Sequence, residues 1–475
     1  MELHEGTRVP NHSSGHRASG RPLKVALVTE TYPPEVNGVA TTVARIVSGL
    51  LAEGHQVQVI RPRQGRSDHA VAARGGLSEV LTRGLPIPRY PELKMGLPAR
   101  RALQKRWALD RPDVVHLATE GPLGWSALKA ALGMGIPVVS EFRTNFHAYS
   151  RHYGVGFLQG AILGYLRRFH NQTACTMVPT SALAGTLEFS RFERLQVVGR
   201  GVDTELFHPG RRCRELRASW KADDDTLVVL GVGRLAPEKN LGLLCDAFGR
   251  MAGVSRDVRL VLVGDGPSRE WIQARCPEAI LTGRRSGEDL ARHFASADVL
   301  LFPSLTETFG NVTIEAMASG LGVVAFDYGA AGEVIRSGQT GWLAPYADSG
   351  AFLDLAAAVA ADPRGRSAAG PLARQMACEL GWGGIVAQVI RHYVEAIESG
   401  QSATCHEPSG AVRYREAVDG PRQPAFALDV VSKPTVPAAP RRQGGAWLWP
   451  QVRQPSRSSS ASQESRARNT GLPVE

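Results

Sequence analysis

The chain predicts an α/β fold class, arranged as two successive doubly wound domains with parallel sheets, and three observations lead there. Short strands of the fully buried type alternate with segments of helical apolar period, first over residues 24–178 and again over 226–325. The length, 475 residues, exceeds what one hydrophobic core ordinarily serves, so two domains are expected. Glycine is abundant, 51 residues, and glycines near strand ends often mark backbone that approaches a ligand.

The elements follow in order. Residues 24–29 (KVALVT) read as a buried strand, the loop ETYPPEVNG follows, and Val39, Val43, Ile46, Val47, Leu50 and Leu51 recur at helical spacing. Gly54 stops that helix and QVQVI opens the next strand, which makes a βαβ unit with a right-handed crossover. Further strands are expected at 114–117, 137–141 and 175–178. A second series is expected at 226–231, 259–263, 280–282, 299–302 and 323–325, joined to the first around GRGVDTELFHPG. Ligands of such sheets sit at the carboxyl ends of strands, so chemistry is sought in the loops after Thr29, Gly231, Val263 and Phe302.

Bulk properties narrow the function. With 43% hydrophobic and 21% charged residues the chain reads as a soluble globular protein. The amino-terminal residues lack an apolar core of the signal-peptide kind, and the longest near-apolar run, 154–166, is interrupted by Gln159 and too short to span a bilayer. Six scattered cysteines form no C-x-x-C pair, which fits a reducing compartment and no structural zinc. The formal charge of +10 admits nucleic acid, anionic lipid or an anionic small substrate, although part of it lies in the tail. From about Glu398 the chain turns rich in Pro, Ser, Gln and Arg and is expected to be disordered, either a solvated extension or a basic grip on a membrane surface or RNA.

The loop GVGRLAPEKN holds Gly231, Gly233 and Ala236 as a G-x-G-x-x-A string, but Pro237 and the cations Arg234 and Lys239 do not suit a dinucleotide turn. Two cations beside a helix start suit a diphosphate instead. VGDGP, with Gly264 and Gly266, is a tight turn at the same sheet edge. In SLTETFGNVTIEAMASG, Glu307 falls in a loop and Glu315 about one turn into a helix that begins near Asn311. Between them, the free N–H groups around Phe309, Gly310, Asn311 and Val312 can bind a phosphate oxygen. Two carboxylates flanking a phosphate site suit a molecule with hydroxyls on both sides of a diphosphate, and a nucleotide sugar is such a molecule.

These stretches, with SGQTGWLAP, resemble the carboxyl-terminal half of the retaining glycosyltransferases of the GT-B fold known as family 4 or group 1. The E-x7-E element with its upstream R-x4-K is the specific part; GDGP only supports it. TYPPEVNGVATTV, RYPELKMGLP, HLATEGPLG, FRTNFHAYSRHYG and GRGVDTELFHP look like members that modify diacylglycerol or polyprenyl-type lipids with glucose, sulfoquinovose or mannose, the diacylglycerol glycosyl- and sulfoquinovosyltransferases and GDP-mannose-dependent alpha-mannosyltransferases. The resemblance covers about residues 23–398. It implies two Rossmann-like domains facing a cleft: an acceptor domain at 23–207 and a nucleotide-sugar domain at 208–383, then a closing helix at 384–398. Outside it, composition gives a disordered leader at 1–22 and a disordered tail at 399–475.

The resemblance also implies roles. Glu307 meets hydroxyls of the transferred sugar, Glu315 the ribose, and Arg234 and Lys239 the diphosphate. Asn37, Gly38 and Val39 line the cleft, Gly233, Gly264, Gly266, Phe309, Gly310, Asn311 and Val312 complete the donor side, and Glu120, His147, Tyr149 and Arg151 face the acceptor. Many members carry His where this chain has Arg143, which supplies charged donors but does not switch protonation near neutral pH. Whether His147 compensates stays open. The expected reaction moves a glucose- or mannose-type hexose from a UDP- or GDP-sugar to a lipid or glycan hydroxyl with retention. No metal or other cofactor is expected, since no D-x-D pair stands in the crevice loops. A cytoplasmic location is expected, with peripheral contact to an anionic membrane surface left open; so is oligomeric state, and nucleic acid is not an expected partner. Two rival readings stand beside this one, a catalytically idle nucleotide-sugar-binding protein and a dinucleotide-dependent oxidoreductase.

Overall fold

A computed structural model describes residues 21–404 apart from 36, 66–67, 71–73, 88–89, 144–158 and 256, together with 441–443 and 446–448. The first sheet contains β1 (Lys24–Val28), β2 (Gln56–Pro62), β3 (Leu77–Thr82), β6 (Val114–Leu117), β7 (Val138–Glu141), β8 (Cys175–Val178) and β9 (Leu195–Val197), in the order β3-β2-β1-β6-β7-β8-β9. Between β3 and β6, β4 (Gly84–Ile87) and β5 (Tyr90–Gly96) form a separate antiparallel hairpin. The second sheet contains β10 (Leu227–Val232), β11 (Val258–Val263), β12 (Ile280–Gly283), β13 (Val299–Phe302), β14 (Gly322–Phe326) and β15 (Trp342–Ala344), in the order β12-β11-β10-β13-β14-β15. The pairs within both sheets are parallel, so the two doubly wound α/β domains are as expected.

Strand alternation explains why both faces of each sheet are covered. In β1, Val25 and Leu27 join a core with Val43, Ile46, Val47 and Leu50 of the helix Gly38–Ala52, while Ala26 and Val28 join one with Leu103, Trp107, Leu123 and Leu128 on the opposite face. In β10, Val228 and Leu230 face Ile314 and Met317, and Leu227 and Val229 face Leu244, Phe248 and Phe352.

The last helix, Trp382–Thr404, follows the second sheet but packs on the first. Ile385, Val386, Val389, Tyr393 and Ala396, on one face at helical spacing, enter the core that holds the helix Gly38–Ala52. Gly49 permits the approach, because a Cβ there would run into Val386. This corrects the expected boundaries: the helix begins two residues before 384 and continues past 398, where the Ser399 hydroxyl donates to the Glu395 carbonyl at 2.7 Å and keeps the turn helical. At the other end Arg21, assigned to the leader, is tied to Asp113 at 2.6 Å. Residues 1–20 and most of the tail lie outside the described residues. The tail's described part is an antiparallel pair, Arg441–Gln443 with Ala446–Leu448, which composition did not suggest; it belongs to a separate unit that starts at Pro408.

Side-chain bonds also join the two sheet domains. Glu333, on the helix Gly329–Val334, accepts from the Ser181 backbone N–H at 2.7 Å and the Ser181 hydroxyl at 3.0 Å, at the start of the helix Ser181–Phe189. Arg374 donates to the carbonyls of Thr204 and Phe207 in the connecting segment and of Ala318 at the end of the helix Asn311–Ala318.

Candidate active site

The carboxyl edge of the second sheet gathers most of the expected donor-side residues. The segment after β10 passes through Arg234 into a single 3-10 turn, Pro237–Lys239, and Asn240 then takes a left-handed conformation before the helix Leu241–Val254. This swings Lys239 toward the loop after β13, where its ammonium donates to Glu307 Oε1 and lies 5.9 Å from the centre of the Phe302 ring. Ser304 Oγ donates to the same carboxylate oxygen at 2.8 Å. Burial pushes the Glu307 carboxyl up, but attraction to Lys239, the bonds from Lys239 and Ser304, and the charge of Arg200 outweigh it and hold the group below its ordinary value. Arg234 is more exposed and lies 3.9 Å from Glu238.

The GDGP turn supports this segment from below. Gly233 N donates to Val263 O at 3.0 Å, Leu235 N to Asp265 O at 3.0 Å and Ser268 N to Leu235 O at 2.9 Å, which zips the two loops together. At Gly264 (φ +145°) a Cβ would collide with the Gly233 carbonyl oxygen, and at Gly266 (φ +158°) with that of Leu235. The two glycines expected on the donor side therefore have a packing reason to be there: they let the Arg234-bearing loop lie flat on its neighbour.

Three residues beyond Glu307, Gly310 turns through φ +99° and opens the helix Asn311–Ala318, whose first N–H groups have no partner within the helix. Phe309 is buried, and its carbonyl accepts from Ala330 N at 2.6 Å. Glu315 lies on this helix without a hydrogen bond or ion pair from its carboxylate among the described residues. The residue is half-buried, and desolvation pushes its carboxyl up to about 7.

On the first domain, Asn37 caps the helix Gly38–Ala52 by accepting from Ala40 N at 2.8 Å, and its amide donates to Thr31 Oγ1 at 2.7 Å. Gly38 and Val39 form the first turn behind it, with open space where a Gly38 Cβ would stand. Arg143 follows β7, is 4% exposed and forms an ion pair with Glu141. Glu120, expected to face the acceptor, is instead buried at 4% exposure against His170, 3.3 Å away, because the His170 ring and the Ser140 hydroxyl form a polar network inside the domain. His147, Tyr149 and Arg151 lie outside the described residues.

Sequence reasoning missed a residue that joins the two halves at the site. Arg200, in the connecting GRGVD, is buried with its guanidinium 5.8 Å from the Phe309 ring centre and its Nη1 3.5 Å from Asn311 Oδ1. Burial and the neighbouring Arg143 charge push its guanidinium down to about 10, against the opposing pull of Glu141 and Glu307. Arg143, Glu141 and Arg200 also line one small cavity with Thr42 and Trp382. Glu30, at the carboxyl end of β1, was missed as well: it accepts from Gly96 N and, at 3.1 Å, from Leu123 N, and burial pushes its carboxyl up to about 7. No group of three or more His, Cys, Asp or Glu among the described residues is arranged to hold a metal ion.

A cationic and carboxylate-bearing edge between two doubly wound domains is the architecture of a GT-B glycosyltransferase, and comparison with known proteins agrees. The family described as "Glycosyltransferase Family 4" matches residues 36–206, and "Glycosyl transferases group 1" matches 226–362. The GDP-mannose-dependent alpha-mannosyltransferase of Corynebacterium glutamicum is 32% identical over 383 residues, 80% of this chain and 91% of that one. The alpha-monoglucosyldiacylglycerol synthase of Streptococcus pneumoniae is 24% identical over 319 residues, 64% of this chain and 71% of that one. Among solved structures, sucrose-phosphate synthase from Thermosynechococcus elongatus superposes with a TM-score of 0.64 at 19% identity, covering 79% of this chain and all of that one. The chain belongs to the group 1, family 4 glycosyltransferases. It is a hexosyltransferase that uses a nucleotide sugar, and the oxidoreductase reading falls away.

Proposed function

We propose that the enzyme transfers a mannose- or glucose-type hexose, with retention at the anomeric carbon, from a nucleoside diphosphate sugar to a hydroxyl of a lipid or glycan acceptor. The observation that carries this reading is Glu307, held ionised by Lys239 and Ser304 at the carboxyl edge of β13, three residues before a helix N-terminus. In this assignment Arg234, Lys239 and the first N–H groups of the helix Asn311–Ala318 receive the diphosphate, Glu307 the sugar hydroxyls and Glu315 the ribose. As the glycosidic bond breaks, negative charge collects on the departing phosphates, and fixed cations and N–H dipoles stabilise it without a metal ion. Lys239 has three N–H donors, so it can keep Glu307 and still reach a phosphate oxygen. Arg143 supplies charged donors near sugar and phosphate in place of the family's histidine. The acceptor hydroxyl attacks from the face the diphosphate leaves, with a phosphate oxygen as the base.

A mannosyl donor is supported by the Corynebacterium relative, whose name specifies GDP-mannose, and a lipid acceptor by the Streptococcus relative, whose name specifies diacylglycerol. Among the described residues no helix is long and apolar enough to cross a membrane. In this reading a lipid acceptor is met by peripheral contact with the membrane surface. The test is incubation with GDP-mannose, UDP-glucose and related donors, with and without diacylglycerol, following nucleoside diphosphate release and the anomeric configuration of the product. Release from one donor with an α-linked product supports the reading. A β-linked product refutes retention, and no release from any of these donors refutes the assignment of a mannose- or glucose-type hexose.

A further inference from the structure

We propose that Tyr393 and His116 are positioning residues for Arg143, so that the closing helix fixes the geometry of the active site through a buried relay, Tyr393 to His116 to Glu141 to Arg143. The proposal rests on the assignment of Arg143 to the donor site.

The four side chains come from four places in the chain. His116 is on β6, Glu141 ends β7, Arg143 follows it, and Tyr393 is on the helix Trp382–Thr404, 277 residues from His116. All are buried, His116 and Tyr393 completely. Buried polar and charged groups are costly unless each finds a partner, and three contacts in series link these four, the middle one, His116 to Glu141, being a close approach without hydrogen-bond geometry at Nε2. The Tyr393 hydroxyl lies 2.5 Å from His116 Nδ1, His116 Nε2 lies 2.9 Å from Glu141 Oε1, and Glu141 Oε2 pairs with Arg143 Nη2. The two carboxylate oxygens thus have different partners, and rotating the carboxylate to improve one contact spoils the other.

The Tyr393 hydroxyl and His116 Nδ1 share a buried hydrogen bond that fixes the plane of the imidazole, and with it the edge turned to Glu141. Glu141 in turn holds the guanidinium. Arg143 Nε has no hydrogen-bond partner among the described residues, so Glu141 and what stands behind it are what orient the group there. Arg200 explains why orientation is needed: a second buried guanidinium lowers its own basicity by standing near Arg143, and the two cations share the single carboxylate of Glu141 within one cavity. A small rotation of Arg143 changes the positive charge felt by Arg200, whose own charge acts on Glu307. The helix Trp382–Thr404 thereby acts on Arg143 through the interior of the first domain, as well as lining the cavity directly with Trp382 and Ile385.

A buried network that only anchors the helix would show itself differently, and a double-mutant cycle separates the two cases. Tyr393→Phe removes one oxygen atom, and Glu141→Gln keeps the shape of the carboxylate while removing its charge. Each is made alone and in the Arg143→Ala background, and kcat and KM are measured with GDP-mannose or UDP-glucose, whichever the parent turns over, alongside thermal melting. Each single variant is expected to lower kcat about tenfold with donor KM nearly unchanged, and neither to lower it further once Arg143 is Ala. Equal losses in both backgrounds overturn the relay while leaving Arg143 in its donor role. An Arg143→Ala enzyme with parental kcat overturns both the donor role and the relay. Losses that track the melting temperature in both backgrounds identify a purely structural anchor and overturn the relay.

Discussion

Lys239 and Glu307 meet at the carboxyl edge of the second sheet as a largely buried ion pair, and the carboxylate oxygen that accepts from the lysine ammonium also accepts from Ser304. The pair joins the segment after β10 to the segment after β13, elements 68 residues apart. Its importance lies in the state it imposes: a buried carboxylate that would otherwise gain a proton stays charged, ready to accept from hydroxyls.

The two glutamates of the E-x7-E element are therefore expected to fail differently. Glu307→Ala should lower turnover by about 10²-fold or more, if its contacts tighten as the sugar flattens and gains charge, while affinity for the free nucleoside diphosphate stays near the parental value. Glu315→Ala should weaken that affinity, because the ribose remains on the free nucleotide. Calorimetric titration of both folded variants with GDP and UDP decides it. If Glu307→Ala loses nucleotide affinity and Glu315→Ala keeps it, the donor lies the other way round.

Arg200 should matter through charge as well as shape. It contributes to keeping Glu307 ionised and stands over Phe309 with its planar guanidinium. Arg200→Ala removes a favourable charge, so the acid limb of the pH–rate profile should move to higher pH and kcat should fall by about tenfold. Arg200→Lys should restore the position of the limb more than the rate, since an ammonium does not reproduce a planar donor fork. A profile unmoved by Arg200→Ala would disprove the electrostatic link to Glu307.

Gly264 offers a stability prediction tied to the site. Its φ of +145° is strained for any side chain, and a Cβ would collide with the Gly233 carbonyl oxygen. Gly264→Ala should cost about 1–3 kcal/mol from the backbone alone and more from the collision, and should displace the loop bearing Arg234. Melting temperature and diphosphate affinity are expected to fall together; a lower melting temperature with parental affinity would separate the loop's packing from Arg234.

Much of the fold was legible because buried parallel strands are short apolar runs: 114–117, 175–178 and 299–302 coincide with β6, β8 and β13. β3, half-buried at every residue, shows no clean period, and Pro86 and Pro91 made the β4–β5 hairpin look like a loop. At the site, Glu307, Glu315, Arg234 and Lys239 were legible because they fall in short local patterns. Arg200, His116, Glu141 and Tyr393 were not, since their meaning comes from contacts across the fold, such as that between Tyr393 and His116, which no local spacing encodes. Glu120, which the resemblance placed toward the acceptor, turns inward to His170, a contact that no local pattern encodes.

The position of Glu315 makes a pH prediction with opposite signs for stability and binding. Burial raises its carboxyl to about 7 in the folded protein, from an ordinary value of 4.5. Between those values the folded state holds more protons than the unfolded chain, so this group's contribution to stability falls as pH rises through about 4.5 to 7. Below the window both states are protonated and the penalty vanishes; above it both are ionised and the penalty is complete. Gln cannot ionise, so Glu315→Gln should melt above the parent at pH 8 and close to it near pH 4. Nucleotide binding should move the other way. The parental affinity for GDP or UDP should rise between about pH 6 and 8, as the carboxylate that accepts from the ribose becomes charged, while Glu315→Gln should bind more weakly and with little dependence on pH. Calorimetric melting and titration at several pH values test both signs on the same samples. A Glu315→Gln protein that melts no higher than the parent at pH 8 would show that burial does not penalise the charge, and one that binds nucleotide as tightly as the parent would remove Glu315 from the donor site.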